Sequence, residues 1–332
     1  MFDVNRRHGE KSPSPCRLRY RAVMPPHVLA VGEALIDIVH AADGSIAEHP
    51  GGSVANVAVA LARLGQPARL ATWLADDEHG RRLREWLIGV GVTLVAGSDA
   101  ATRTPSALAQ LDASGVARYE FDLAWQLARG AAVEPGTTTV HTGSIAAVIE
   151  PDVAPLLAAA RQSATVSYDP NVRPALMPPR AETLAIVERL VGVADVVKVS
   201  DEDLAWLAPD VPSERVAERW LAAGPAIVVM TRGAAGAVAW CAAGRHAEPP
   251  AAVAVVDTVG AGDTFSAGLL WSLGEAGLLG ADARPRLRAI DVAELARHVG
   301  VAARAAELSV QRAGADPPTL AELQEYVRAH DE

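Results

Sequence analysis

The sequence has few of the residues that mark disulfide-linked, membrane-spanning or metal-binding proteins. Its 332 residues include only two cysteines, Cys16 and Cys241, too few and too far apart for a disulfide framework or a zinc site. No apolar run approaches the roughly 20 residues that a membrane-spanning helix needs. The nine histidines lack HExxH or comparable spacing, so we expect no structural metal site. This composition is typical of a protein of the reducing cytoplasm that has no membrane partner.

Positive charge is scarce as well. The formal net charge is -10, and Lys11 and Lys198 are the only lysines. Because binding to a nucleic-acid backbone depends on clustered lysine and arginine, we expect no nucleic-acid partner. The P-loop pattern G-x-x-x-x-G-K-S/T does not occur. A bound phosphate group would therefore be held locally, by backbone amides and arginine.

Apolar residues, in contrast, make up half of the chain. From Pro26 onward, short β-branched runs alternate with longer amphipathic ones, beginning with "HVLAVGEALIDIV" and "SVANVAVALARLG". This alternation predicts crossover units around a mainly parallel sheet with helices on both faces. The first run predicts one strand with Asp37 near its end, and Ser53 is the predicted N-cap of the next helix. A long small-residue helix is predicted over "VAELARHVGVAARAAELS".

One segment breaks this rhythm. Between Thr104 and Asp122, the runs "SALAQL" and "VARYEF" flank "DASG", which predicts an antiparallel hairpin. We expect one α/β domain over 26–328, with a small β lid inserted at about 38–50 and 103–123. Residues 1–25 are polar and basic without the apolar core of a signal peptide, which predicts a disordered or non-native extension.

The stretch "VVDTVGAGDTFSAGLL", residues 255–270, combines glycines with two aspartates. "AVAVVD" predicts a strand and "TFSAGLLWSLG" a helix, so Gly260, Ala261 and Gly262 fall in the turn that begins the helix. Unpaired amides and a partial positive charge at a helix N-terminus favour an anion, and small residues let it approach closely. Asp263 then either caps the helix or acts as a general base toward a substrate hydroxyl. The residues alone favour neither role.

A dinucleotide site is a competing interpretation of these glycines. The string G-A-G-D-T-F has two of the three glycines of G-x-G-x-x-G, but Phe265 occupies the third place and the motif comes late in the chain. A dehydrogenase is therefore disfavoured.

A second polar cluster lies near the start of the chain. It consists of Asp37, Gly51, Gly52 and Asn56. Asp37 would supply a hydrogen-bond acceptor, the two glycines a close approach of the backbone, and Asn56 an amide that both donates and accepts. A sugar requires this mixture of groups. Asn56 is equally compatible with a tolerated helix residue. Further polar residues occur at predicted strand ends, where they are either ligand contacts or turn and cap residues. They are Glu150, Asp169, Asn171, Arg173, Ser200 and Asp203.

Together the two glycine clusters resemble the paired signatures of the ribokinase-like, or PfkB, family of carbohydrate kinases. "GGSVANVAVALARLG" is similar to the N-terminal signature and "DTVGAGDTFSAGLL" to the C-terminal one. The resemblance extends from about His27 to about Val327. It implies a three-layer α/β/α sandwich with a mainly parallel central sheet and a small β lid. The implied reaction transfers a phosphoryl group from ATP to a hydroxymethyl group of a sugar, with Mg²⁺ and usually K⁺.

The resemblance also implies a role for individual residues. Asp263 corresponds to the catalytic base, and Gly260, Ala261 and Gly262 correspond to the anion hole. The implied sugar-binding residues are Asp37, Gly51, Gly52, Asn56, Glu150 and Arg173. The implied nucleotide-binding residues are Ser200, Thr231, Gly233, Gly236, Gly260 and Gly262. For cations, the resemblance implies Asp203 for Mg²⁺ through water, and, for a monovalent ion, Asp257, Val259, Ser309, Arg312 and Gly314.

Two departures from the family pattern concern the cation sites. The N-x-x-E motif appears as "SDED", so Ser200 and Asp203 stand where the family has asparagine and glutamate. The shorter carboxylate can still hold Mg²⁺ through water. Pro318 stands where ribokinases often have a serine, which weakens the implication of K⁺ binding.

Within the family, "DPNVRPAL" and "VKVSDEDL" are more similar to bacterial fructokinases, which implies fructose as the sugar. A ribokinase, a nucleoside kinase, a 2-keto-3-deoxygluconate kinase and a non-catalytic sugar-binding paralogue remain alternatives. The intact Asp263 and G-A-G turn speak against the last of these. The expected partners are the sugar and ATP, and many family members form homodimers through their lids.

Overall fold

The computed structural model of the protein describes residues 25–40, 44–111, 117–250 and 252–330. The predicted extension over 1–25 therefore lies almost entirely outside the described residues. Within these ranges, nine strands form one large sheet in the order β13-β12-β11-β10-β9-β8-β1-β4-β5. Their bounds are β1 (His27–Val31), β4 (Ala68–Ala71), β5 (Thr93–Leu94), β8 (Thr137–Gly143), β9 (Thr165–Asp169), β10 (Val196–Ser200), β11 (Ile227–Thr231), β12 (Ala237–Cys241) and β13 (Gly244–Glu248).

The large sheet is parallel from β5 to β11, and β12 and β13 add two antiparallel strands at one edge. The predicted mainly parallel sheet is confirmed. Its helices are α1 (Ser53–Arg63), α2 (Glu78–Gly89), α3 (Ser144–Ile149), α4 (Val153–Ala160), α5 (Arg180–Val193), α6 (Asp201–Leu207), α7 (Ser213–Ala223), α8 (Ala261–Glu275), α9 (Arg284–Arg288), α10 (Val292–Val310) and α11 (Leu320–His330). No helix in the described ranges has both the length and the apolar character to span a bilayer.

Alternate residues of each central strand contribute to different cores. On β1, Leu29 and Val31 pack with α3 to α7, whereas Val28 and Ala30 pack with α1, α2 and α8. This is the period-2 alternation of a strand that is covered on both faces. The three-layer α/β/α sandwich implied by the sequence is therefore confirmed.

A separate small sheet has the order β3-β2-β6-β7. Its strands are β2 (Leu35–His40), β3 (Ile46–Gly51), β6 (Ser106–Leu111) and β7 (Ala117–Asp122). β6 and β7 form the predicted antiparallel hairpin, which is confirmed. The four strands coincide with the two intervals expected for the lid, except that β2 begins at Leu35 rather than near residue 38.

The prediction of a single strand over "HVLAVGEALIDIV" is wrong. β1 ends at Val31, the chain bends at Gly32, and β2 begins at Leu35 in the small sheet. A Cβ atom at Gly32 would lie 2.4 Å from a methyl carbon of Val54, so only glycine fits where the chain leaves the large sheet. Asp37 therefore belongs to the small sheet.

Helix α8 is held at the centre of one helical layer. Its buried residues include Phe265, Leu269 and Leu273, and Gly268 allows close packing against α10. An added Cβ at Gly268 would lie 3.1 Å from the Cα of Ala302. The predicted long small-residue helix is thus confirmed as α10, and it fixes the position of the α8 N-terminus.

At the opposite end of the strands, one buried carboxylate joins several segments. Asp195 is 0% exposed and accepts hydrogen bonds from the Val166 amide at 3.0 Å and from Arg284 Nε at 2.8 Å. Arg284 also donates to the carbonyl oxygens of Arg161 and Ala164, at 2.9 and 2.7 Å. Removal of the carboxylate would leave a partly buried guanidinium without its counter-charge.

We expect Asp195→Ala to lower the free energy of unfolding by about 3 kcal/mol, because breaking a buried, hydrogen-bonded ion pair leaves its partners unsatisfied. Urea denaturation measures this loss. The control is Glu188→Ala, which removes an exposed ion pair with Arg219 and should cost less than about 1 kcal/mol. Equal losses in the two variants would contradict this role of Asp195.

Candidate active site

A cleft of about 310 Å³ lies between the small sheet and the start of α8. Its walls include Asp37 and Phe121 from the small sheet, and Gly260, Gly262 and Asp263 from the start of α8. The carboxyl ends of the parallel strands reach the same place, as expected for a ligand site in an α/β sheet. In the register of the large sheet, Gly143 pairs with Asp169 and Ser200 pairs with Thr231.

The strand predicted over "AVAVVD" is wrong, because residues 252–257 form no ladder with either sheet. The amides of Val256 and Asp257 instead donate to the carbonyl of Val310 at the end of α10, at 2.8 and 3.2 Å. Val255 and Val256 are 60% and 64% exposed. The segment therefore approaches the cleft as an irregular connection that is hydrogen-bonded to the end of α10.

Gly260 is the N-cap of α8 and has a φ of 74°. A Cβ atom here would lie 2.7 Å from the Cβ of Ala315, so both conformation and space require glycine. The first amides of a helix have no intrahelical acceptor. The start of α8 consequently presents backbone donors and a partial positive charge to the cleft.

Asp263 lies in the first turn of α8 and is 7% exposed. Ser53 Oγ donates to Asp263 Oδ1 at 2.7 Å, and Asn56 Nδ2 donates to Oδ2 at 2.8 Å. No side chain caps α8, so the capping alternative for Asp263 is wrong. Burial raises the pKa of Asp263 above its usual value, although the bonds from Asn56 and Ser53 and the charge of Lys198 oppose this shift. A carboxylate with a raised pKa is well suited to accept a proton.

The prediction of Ser53 as an N-cap is also wrong. The N-cap of α1 is Gly52, and Ser53 is the first helical residue, whose hydroxyl bonds to Asp263. Gly52 has a φ of 106°, and a Cβ there would lie 2.4 Å from the Glu33 carbonyl oxygen. Asn56 Oδ1 is buried and has no hydrogen-bond partner among the described residues. It is therefore available to a ligand.

On the small sheet, Asp37 lines the cleft. Gly51 makes room for it, since an added Cβ would lie 2.3 Å from Asp37 Oδ2. Burial raises the pKa of Asp37 to about 6, while the positive charges of Arg173 and His49 act in the opposite direction. Asp37 is thus a carboxylate that titrates close to neutral pH.

The sequence-based prediction missed Glu33, which is buried in the cleft wall. The Ala146 amide donates to Glu33 Oε2 at 3.4 Å, and burial raises the pKa of Glu33. Two neighbouring wall residues have left-handed backbone conformations, Ser144 with a φ of 54° and Asn171 with a φ of 38°. Such strained backbone is concentrated at functional sites. A glutamate directly after an apolar strand is the sequence signal that could have identified Glu33.

The two remaining predicted sugar contacts differ in position. Arg173 lines the cleft, is exposed, and donates to Asn171 Oδ1 at 2.7 Å. Glu150 does not belong to the cleft wall. Its carboxylate accepts from the Leu127 amide at 3.4 Å and the Asp152 amide at 3.2 Å. The structure therefore brings Arg173, but not Glu150, to the cleft.

The predicted nucleotide residues follow neighbouring strands. Ser200 is the N-cap of α6, and it forms a capping box with Asp203: the Asp203 amide donates to Ser200 Oγ at 3.0 Å and the Ser200 amide donates to Asp203 Oδ2 at 3.3 Å. The Val172 amide donates to Asp203 Oδ1 at 2.9 Å. Burial raises the pKa of Asp203. The serine and aspartate that depart from the family pattern thus stabilise the start of a helix together.

Two glycines follow β11 in the predicted nucleotide turn. Gly233 begins a short 3₁₀ turn, and Gly236 has a φ of 83°. A Cβ at Gly236 would lie 2.3 Å from the Glu248 carbonyl oxygen. Thr231, at the end of β11, pairs with Ser200. Thr231, Ser200 and this turn therefore lie at one end of two adjacent strands.

Asp257 connects the two segments predicted to hold a monovalent cation. Its Oδ1 accepts from the Val259 amide at 3.0 Å and its Oδ2 from the Gly314 amide at 2.8 Å, and these bonds lower the pKa of Asp257. Ser309 is buried, and Thr264 Oγ1 donates to its hydroxyl at 3.4 Å. Arg312 directs its guanidinium to Glu322, at 2.6 Å. In the described ranges, no group of three or more acidic, histidine or cysteine side chains could hold a metal ion.

Lys198 and Asp169 form a buried ion pair below the start of α8. Lys198 Nζ lies 2.9 Å from Asp169 Oδ2, and both side chains are almost fully buried. Burial alone would lower the pKa of Lys198, but the carboxylates of Asp169, Asp263 and Asp203 outweigh this effect and raise it. Ser266 Oγ also donates to Asp169 Oδ2, at 3.4 Å. The sequence-based prediction assigned no role to Lys198, although a lone lysine in an apolar strand is a visible signal.

The chain is similar to known proteins in sequence and in fold. Residues 25–322 match the family model described as pfkB family carbohydrate kinase. A fructokinase from Rhizobium leguminosarum bv. trifolii is 35% identical over 265 residues, which cover 74% of this chain and 79% of that protein. The fructokinase of Xylella fastidiosa with bound ATP has a TM-score of 0.78 and 25% identity, and covers 92% of this chain and 99% of its own.

A further structure is a double mutant of the fructokinase of Vibrio cholerae O395 with fructose, ADP and a potassium ion. Its TM-score is 0.73 at 27% identity, with 92% of this chain and 99% of that chain covered. The chain therefore belongs to the pfkB family of carbohydrate kinases. It is a phosphotransferase that acts on a sugar hydroxyl.

Alanine variants of two glycines with nearly equal φ can distinguish the effect of steric crowding from the effect of backbone conformation. Gly52 has a φ of 106° and close neighbours, whereas Gly280 has a φ of 104° and nothing within 4 Å of an added Cβ. We expect Gly280→Ala to cost about 1–3 kcal/mol of unfolding free energy from strain alone. Gly52→Ala should cost more and should also reduce sugar phosphorylation. Urea denaturation and initial rates measure the two effects, and equal losses in the two variants would argue against close approach at Gly52.

Proposed function

We propose that the protein is an ATP-dependent fructokinase, which transfers the γ-phosphoryl group of ATP to a primary hydroxyl of fructose. The observation that carries this proposal is the position of Asp263. Its buried carboxylate is oriented by Ser53 and Asn56 at 2.7 and 2.8 Å, next to the amides at the start of α8. A proton acceptor and an anion-stabilising turn thereby meet at one point of the cleft.

In the proposed reaction, the sugar hydroxyl gives its proton to the Asp263 carboxylate. The hydroxyl oxygen forms a bond to the γ-phosphorus, while the bond from that phosphorus to the β,γ-bridging oxygen breaks and ADP leaves with the electron pair. The amides from Gly260 to Asp263 stabilise the charge on the transferred phosphoryl group. Asp263 afterwards releases the proton to solvent.

Fructose is supported by the names of the relatives and by the polar groups of the cleft. Asp37 offers an acceptor from the small sheet, Asn56 Oδ1 is a buried acceptor without a partner among the described residues, and Arg173 offers donors from an exposed position in the cleft wall. Gly52 lines the cleft, whereas Gly51 lies outside its wall and leaves room for the Asp37 carboxylate. We assign no part in binding to Glu150, which lies outside the cleft wall.

We assign the nucleotide to Ser200, Thr231 and the turn from Gly233 to Gly236, which lie at or just after the ends of β10 and β11 and outside the cleft wall. Ser200 is two residues beyond Lys198, which lines that wall. Both oxygens of Asp203 accept backbone amides, which fits Mg²⁺ held through water better than direct coordination. When bound, Mg²⁺ would neutralise charge on the phosphate groups.

We assign K⁺ to the loop joined by Asp257, where carbonyl oxygens of Val259, Ser309, Arg312 and Gly314 are the candidate ligands. The Asp257 carboxylate already joins both segments through the amides of Val259 and Gly314. We further propose a cytoplasmic homodimer formed through the small sheet, whose outer strands β3 and β7 each have one strand neighbour in the described ranges.

The first test is ATP turnover with Mg²⁺ and K⁺ in the presence of fructose, ribose, adenosine, 2-keto-3-deoxygluconate or no sugar. We expect fructose to give the largest stimulation. Asp263→Asn should lower kcat by about 10² or more, the contribution expected of a general base. Asp291→Asn is the matched control, because Asp291 caps α10 and has no contact with the cleft. Full activity of Asp263→Asn would contradict the assigned base, and no stimulation by any sugar would contradict the proposed kinase.

The second test concerns the pH dependence of sugar binding. Because burial raises the pKa of Asp37 to about 6, this carboxylate becomes protonated between pH 7 and 5 and loses acceptor strength. We expect the Kd for fructose, measured by calorimetry, to increase by up to about tenfold at pH 5. Asp37→Asn should bind more weakly and show no such change. A parallel pH dependence in both proteins would exclude Asp37 as its source.

A further inference from the structure

One lysine lies inside the cleft of a chain that has only two. β10 reads VVKVS, and its three valines are buried. Val197 and Val199 pack in the core that contains α3 to α7, whereas Val196 packs in the core that contains α8 and α10. The period of 2 along a strand therefore directs Lys198 toward α8.

The Lys198 ammonium lies directly against the anion-binding turn. A Cβ atom added to Gly262 would be 2.7 Å from Lys198 Nζ. Asp169, which ends β9, holds the same ammonium at 2.9 Å. Both Lys198 and Gly262 line the cleft. The absence of a side chain at position 262 thus leaves room for a fixed cation beside the backbone donors of α8.

The burial of this pair is difficult to explain by stability. The free energy required to desolvate two charges is about as large as the free energy gained from their attraction. Replacement of a buried ion pair by apolar residues is therefore often neutral or stabilising. Asp169 Oδ1 is buried without a partner in the described ranges, which adds to this cost. An apolar residue at position 198 would continue the valine pattern of β10. The pair is therefore better explained by the chemistry of the cleft.

The carboxylates around the cleft also favour a cation at the start of α8. Three carboxylates, those of Asp169, Asp203 and Asp263, act on Lys198. The wall of the cleft, as far as the described residues form it, has two cationic side chains, Lys198 and Arg173. Arg173 is exposed and is bonded to Asn171. Lys198 is the cation that lies at the start of α8.

We propose that Lys198 is a catalytic residue whose ammonium contacts the transferred phosphoryl group and stabilises its negative charge together with the amides from Gly260 to Asp263. This inference rests on the proposed kinase function. Asp169 holds the ammonium in place, and its role is positioning. The glycine at position 262 is required for the ammonium to reach the turn.

The test compares wild type with Lys198→Ala. We expect kcat to fall by about 10² to 10³, the effect of removing one preorganised donor, with little change in the KM for fructose. Propylammonium should restore part of the lost kcat, because it can occupy the space of the deleted side chain, whereas 1-propanol should not. Ser266→Ala is the control: it removes another hydrogen bond to Asp169, keeps the ammonium, and should have close to wild-type kcat.

A double variant addresses the risk that an unpaired Asp169 prevents folding. Lys198→Met/Asp169→Asn leaves no uncompensated charge in this pair, so it should fold and remain slow. Wild-type kcat in either folded variant would overturn the proposal, as would equal restoration by propylammonium and 1-propanol.

A final measurement does not require turnover. Calorimetry of ATP and ADP binding should show that Lys198→Ala weakens the affinity for ATP more than that for ADP, because the ammonium faces the γ-phosphoryl group. An unchanged ratio of the two affinities would overturn the proposal for Lys198 alone. Failure of wild type to phosphorylate any sugar would instead contradict the proposed fructokinase, and the affinity ratio would still decide the role of Lys198.

Discussion

The candidate site depends on buried charged groups below the start of α8, which stabilise one another through hydrogen bonds and an ion pair. Asp263, Asp169 and Lys198 are removed from water, and each is stabilised by partners from a different element. The ends of β9 and β10 and the first turns of α1 and α8 must therefore keep their relative positions. Small residues at Gly262 and Gly268 permit the close approach that this arrangement needs.

The cleft lies between two sheets that carry different candidate groups. Asp263 is fixed to the large sheet through α8, whereas Asp37 is carried by the small sheet. The chain crosses between the sheets at Gly32 and again at Gly52, and in both places a Cβ atom would collide with a neighbour. At two of the connections between the sheets, no residue other than glycine fits, and these connections help to fix the distance between the proposed base and the proposed sugar contact.

The sequence allowed prediction of the parallel sheet, the hairpin of β6 and β7, and the helix start before Asp263. These features depend on local periodicity and on turn residues, which a single chain displays directly. The predictions were wrong where contacts with segments distant in the sequence determine the local structure. Residues 252–257 have an apolar strand pattern but no strand beside them, and Ser53 has a capping composition but bonds to Asp263, 210 positions away. The surroundings of Lys198 are determined by its position in β10, which the scarcity of lysine in the sequence does not reveal.

The scarcity of lysine has a practical consequence for the chemical reactivity of the protein. Apart from Lys11 and the terminal amine, Lys198 is the only primary amine in the chain. It is buried, and it lines the cleft. The region 25–330 thus offers amine-acylating reagents a single target, and the ion pair with Asp169 and the raised pKa of Lys198 make its reaction slow. Protection of that amine would report directly on occupancy by any bound molecule, without an engineered label and without an assay of catalysis.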